Sequence, residues 1–141
     1  MKALFRLLLA TAMICLSASC SKVYDGKETW RIASTTTFEA ALSDGHHWLD
    51  QPVQYRDTYL YKKQNEDGSE ASLWRAIPRP EWNGREFDEV YEEGFEYIVE
   101  VKCYHYHQTS VTYARFVRLI SKEKKDSDVS PETILIPWIP D

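Results

Sequence analysis

The stretch Phe95-Glu96-Tyr97-Ile98-Val99-Glu100-Val101-Lys102-Cys103-Tyr104-His105-Tyr106-His107 decides the fold. Its odd positions through Cys103 are apolar or aromatic, and Glu96, Glu100 and Lys102 fall between them. A period of two places Phe95, Tyr97, Val99, Val101 and Cys103 on one buried face of a strand too long to be peripheral. Gln108-Thr109-Ser110 then turns the chain into Val111 to Ser121, a second β-rich run of similar length. The two runs predict a central antiparallel hairpin.

Upstream, Trp30 to Thr37 has the β-branched content of a first strand. Thr36 with Glu39 three residues later matches a capping box opening a short helix through Leu42, stopped at Asp44-Gly45. Gln54 to Lys63 alternates as a strand with Tyr55, Asp57, Tyr59 and Tyr61 on one side, and Asn65 to Ser69 is a turn. Ala71 to Ile77 returns as its partner until Pro78 and Pro80, which cannot donate to the ladder, end it. Asn83-Gly84 marks a further tight turn, and Glu86 to Glu93 fits a helical face or a strand equally well. Lys122 to Asp128 reads as a solvated strand end and loop, and Glu132 to Ile139 as a last strand. About six strands with little helix predict an all-β fold, a small antiparallel sandwich or partly closed barrel, with α+β as the alternative.

The 141 residues, 43% hydrophobic and 28% charged, suffice for one core but not for two. Five Trp, nine Tyr and five Phe argue against wholesale disorder. A formal net charge of -5 lacks the clustered Lys and Arg that phosphate recognition needs, so nucleic acid is not an expected partner.

The N-terminus reads as a signal peptide over residues 1–19. Lys2 and Arg6 precede an apolar run from Leu7 to Leu16 and the small residues Ser17-Ala18-Ser19. That run is about half of the roughly 20 residues a membrane-spanning helix needs. Cys20, directly after the small residues, resembles the lipidated cysteine of a bacterial lipobox, with Leu16 one place further from it than usual. The resemblance implies diacylation of Cys20 and a membrane anchor without a spanning helix. Ser21 and Lys22 follow without the aspartate that retains lipoproteins at the inner membrane, which points to the outer membrane of a Gram-negative envelope. Residues 20–29, polar after the cysteine, read as lipidated residue and tether, and 30–141 as a single β-rich domain. Cleavage leaves 15 basic side chains against 22 acidic ones, a net charge of -7. That excess suits a domain held off an anionic surface by its tether. Cys103 is the one thiol left beside Cys20, so no disulfide framework is expected.

Tyr59-Leu60-Tyr61, Trp74, the run Tyr91-Glu92-Glu93-Gly94-Phe95-Glu96-Tyr97-Ile98-Val99-Glu100-Val101-Lys102 and Arg118-Leu119-Ile120-Ser121-Lys122 together resemble a secreted bacterial domain that often accompanies META (HslJ-like) domains in lipoproteins. The resemblance spans roughly residues 30 to 125. It implies a β fold and an envelope location. It carries no catalytic residues, because that family has no established activity.

Two constellations bear chemistry. Cys103, His105 and His107 recur at every second position of one strand, and thiolate with imidazole suits zinc or copper, with His46 and His47 as further candidates. Three ligands on a flat strand span about 13 Å, too far for one ion, and Cys103 also fits as a core thiol. On the opposite face Tyr104 and Tyr106 could stack on a sugar or anchor a protein, unless a second layer containing Trp138 covers them. No nucleophile elbow, zinc-protease motif or phosphate loop is present. The sequence thus predicts a non-enzymatic envelope lipoprotein that binds a protein or polymer, glycan included, without a cofactor. The alternative is a metal-binding or thiol-dependent enzyme or sensor on Cys103, His105 and His107.

Overall fold

The structure, a computed structural model, describes residues 22–40, 53–77, 79–106 and 112–135. These residues form an all-β fold. Strands β1 (Lys22–Ile32), β4 (Tyr59–Gln64), β5 (Trp74–Ile77), β6 (Trp82–Asn83), β7 (Phe95–Tyr106), β8 (Thr112–Lys124) and β9 (Ile134–Leu135) make one seven-stranded sheet in the order β6-β8-β7-β1-β4-β5-β9. Strands β2 (Phe38–Ala40) and β3 (Val53–Tyr55) pair separately as a two-stranded ribbon. The large sheet curls into a half-barrel.

Its axis is the expected hairpin. β7 and β8 pair antiparallel from His105 opposite Thr112 to Phe95 opposite Lys124. Tyr97, Val99, Val101 and Cys103 are buried on the concave face, as the alternation requires. β8 skips a residue at Val117 and again at Ile120, and such bulges bend the strand and sharpen the curl of the sheet. Beside the β7 side chains on the same face lie Trp30 and Ile32 of β1, then Tyr59 and Tyr61 of β4, and Trp30 stacks on Tyr61 at 3.8 Å between ring centres. The segment from Arg79 to Tyr91 closes this face. It holds β6 and the one-turn helix α1 (Arg85–Asp88), from which Phe87 is inserted among Tyr59, Trp82, Tyr97 and Phe116. Gly84, expected as a hairpin turn, instead precedes α1. A Cβ there would land inside the Trp82 indole, so close approach dictates glycine.

A second core lies on the convex face. Leu60, between the inward-facing Tyr59 and Tyr61, packs outward with Trp74, Ala33, Phe38, Ala40 and Ile134. After β8 the chain crosses this face as a strap. Ser127 exchanges backbone-to-hydroxyl bonds with Ser34, the Trp74 indole N–H donates to the Asp128 carbonyl at 2.8 Å, and β9 ends beside β5 in parallel. Under the strap Glu96 is buried, 5% exposed, accepting from Ser127 at 2.7 Å and from Arg31 at 3.0 Å. Lys122 to Asp128 is the expected solvated strand end and loop except at Ser127, whose hydroxyl turns inward to satisfy a buried carboxylate.

Three further expectations are corrected. The first strand begins at Lys22, so residues 22–29 are not a tether: all but the bulged Asp25 pair with β7. The bulge sits beside Gly26, whose φ of +123° favours glycine. Among the described residues no helix follows Thr36: its N–H and hydroxyl donate to Glu93 at 2.9 and 2.7 Å, and Phe38–Ala40 is a strand, while Leu42 and the stop at Asp44-Gly45 lie outside the described residues. The strand expected over Gln54 to Lys63 is broken into β3 and β4 at Asp57, which adopts φ 56°. Only Ile134 and Leu135 of the expected last strand fall among the described residues, and they form β9.

Candidate functional site

At one end of the convex face, where β1, β7 and β8 lie side by side, neither the second core nor the strap reaches among the described residues. The register sets Tyr24, Tyr104 and Tyr113 in one row across these strands. Residues directly opposite in a ladder share a face, so the three rings project together, away from Cys103. Tyr104 stacks on Tyr113 at 6.0 Å with planes 9° apart, and Tyr106 meets Tyr113 edge-on at 5.2 Å. Lys22 reaches over both, its Nζ 4.7 Å from the Tyr104 ring and 5.8 Å from that of Tyr106. Tyr104, Tyr106 and Tyr113 are half-buried, and Tyr24 is 58% exposed. The next row inward along the strands is cationic: Lys27, Lys102 and Arg115 stand abreast. The row after that holds Glu100, bridged to Lys27 at 3.6 Å and to Arg118 at 3.4 Å. This arrangement offers flat π-faces and hydroxyls with positive charge behind them, a surface for stacking and anion contact.

The sequence located Tyr104 and Tyr106 on this face and missed their company. Tyr113 follows from the hairpin register once the turn length is known. Tyr24 and Lys27 do not follow from spacing, since residues three apart share a face only because Asp25 bulges out between them.

The Cys103 constellation divides. Cys103 is 3% exposed on the concave face, opposite Ala114 and Gly26. Burial, reinforced by the nearby Glu28 carboxylate, pushes its thiol up to about 12, the reverse of what a thiolate nucleophile or ligand needs. His105 sits at the rim with its Nδ1 2.8 and 2.9 Å from the two oxygens of Asp25, a pairing built by the same bulge. His46, His47 and His107 lie outside the described residues, as do Cys20 and Trp138. Among the described residues no three His, Cys, Asp or Glu side chains are grouped to hold a metal ion.

Two hollows are lined by the described residues. One of about 320 Å³ opens at the concave rim against Glu28, Trp30, Tyr61, Lys63 and Arg75. There Glu28 accepts from the Trp30 indole at 2.7 Å and from Lys63 at 2.8 Å. Although burial opposes it, these bonds hold the Glu28 carboxyl below its ordinary value. The other, about 530 Å³, is a wide polar depression between the Ser34–Glu39 stretch and the strap, lined by hydroxyls with Glu39, Glu93 and Asp126. Ser127, which lines it, donates its hydroxyl to the buried Glu96 at 2.7 Å. Compared with protein-family models, with curated proteins and with solved structures, the chain matches none.

Proposed function

We propose that this chain is a non-enzymatic lipoprotein of the cell envelope, acylated at Cys20, that binds an envelope component through the face built on Tyr104 and Tyr106. The observation that carries the reading is the row Tyr24-Tyr104-Tyr113 with Tyr106, in which Tyr104 and Tyr106 pack on Tyr113 and Tyr24 is 58% exposed, on a part of the sheet that belongs to neither core apart from Cys103 and Ala114 on its other face. Tyrosines give large contact area at low entropic cost and are frequent anchors of binding surfaces. The signal-like N-terminus, the lipobox-like Cys20 and the resemblance to a secreted lipoprotein domain support the compartment. The deeply buried thiol of Cys103 speaks against a thiol enzyme.

The test is photo-cross-linking in the intact envelope from benzoylphenylalanine at position 106, with position 90, exposed beside α1, as the control. The reading expects an adduct from position 106 that position 90 does not give, and its loss in the Tyr104→Ser background. Equal adducts from both positions, or none from 106, would contradict it.

A further inference from the structure

We infer that the component met by this face is the anionic phospholipid headgroup layer of the membrane that holds the acylated Cys20. The inference rests on the anchored-binding reading above and names its partner. Two observations carry it.

The first is length. β1 starts at Lys22, leaving Ser21 alone between the strand and Cys20. Two residue steps reach no further than about 7 Å. The end of the sheet where Lys22 stands opposite Tyr106 is therefore held at the bilayer surface, with no spacer to lift it away. The second is chemistry. Nearest the anchor stand Lys22 and Tyr106, then the row Tyr24-Tyr104-Tyr113, and a tyrosine, apolar in its ring and polar at its hydroxyl, suits headgroup depth. Behind it stand Lys27, Lys102 and Arg115, a cationic row on a mature chain of net charge -7.

The acidic groups on and beside this face are spoken for. Glu100 is paired to Lys27 and Arg118, and the Asp25 carboxylate is turned to His105. The charges that make the whole chain acidic act weakly beyond a Debye length of about 8 Å, so the local sign governs contact with lipid phosphates. The repulsion expected from net charge thus gives way to attraction at the surface nearest the anchor.

The test uses the acylated protein purified from membranes and reconstituted in vesicles of phosphatidylglycerol and phosphatidylethanolamine carrying a nitroxide on the headgroup. Tyr24→Trp reports from the face and Val90→Trp from beside α1, each read against the native tryptophans. Quenching at position 24 is expected to exceed that at position 90 about twofold or more, and the excess to fall with phosphatidylcholine in place of phosphatidylglycerol or in a Lys102→Glu, Arg115→Glu variant. Equal quenching at the two positions overturns the lipid contact, and a position-106 photo-adduct to a protein or glycan would then leave the binding reading standing. A chain whose membrane association is unchanged by Cys20→Ser overturns the anchored reading and this inference together.

Discussion

The ammonium of Lys22 lies 4.7 Å from the centre of the Tyr104 ring, which fastens the first residue of β1 to the aromatic row of β7. An exposed cation–π contact contributes about 0.5–1 kcal/mol. Lys22→Ala should accordingly speed amide exchange at the start of β1 by about two- to fivefold, with the melting temperature nearly unchanged. Faster exchange throughout β7 would show that the contact supports more than the strand end.

Phe87 is the keystone of the concave lid. It is fully buried, with five aromatic rings, those of Tyr59, Trp82, Tyr91, Tyr97 and Phe116, centred 5.2–5.9 Å away. The Tyr97 hydroxyl ties down the chain that follows, accepting from the Glu92 N–H at 2.9 Å and donating to the Val90 carbonyl at 3.3 Å. Phe87→Ala is expected to cost about 3–5 kcal/mol, a loss that denaturant titration reads directly. A loss under about 1 kcal/mol would mean that the lid collapses onto the vacancy without strain.

Glu96 predicts an acid limb of stability. Burial alone would raise its carboxyl, but the Ser127 and Arg31 hydrogen bonds and the Lys125 and Arg31 charges outweigh it and leave the group below its ordinary value. A carboxyl depressed in the folded state stabilises fully above its unfolded value of 4.5, and that share is lost as pH falls through the lower folded value. Glu96→Gln should cost about 1.5–3 kcal/mol at neutral pH and flatten the decline of stability in acid. An unaltered acid limb in the variant would assign the decline to other carboxyls.

Cys103 predicts an alkaline counterpart. Its thiol is raised from 9.0 to about 12, chiefly by burial and then by Glu28. The folded state therefore holds the proton more tightly, and this share of stability is intact below pH 9.0 and lost as pH rises toward 12. Cys103→Ala should lose less stability than the native chain over that window. At pH 8 the thiol should react with Ellman's reagent only as fast as the protein opens; prompt labelling of the folded chain would contradict its burial.

The central hairpin was legible because one strand presents Val99 and Val101 inward and Glu100 and Lys102 outward, a pattern that needs no knowledge of its neighbours. The start of β1 was not, because the Asp25 bulge breaks the period in a polar stretch that resembles a tether. Thr36 and Glu39 formed a sound local capping signal that lost to a carboxylate 57 residues away, Glu93. Glu96 read as a solvent-facing charge for the same reason: Arg31 and Ser127, which make its burial tolerable, are 65 and 31 residues distant. Of the site, Tyr104 and Tyr106 came from alternation alone. The cationic row behind them required the register of three strands.

The anchor fixes where the tyrosine face is held, so the covalent state of the mature N-terminus decides most directly between a membrane-held face and a free one. Intact-mass and N-terminal peptide spectrometry of the protein from membranes should find a chain beginning at Cys20 and heavier by a diacylglyceryl group, alone or with a further acyl chain. A mature chain beginning elsewhere, or at an unmodified Cys20, would contradict the membrane-held face.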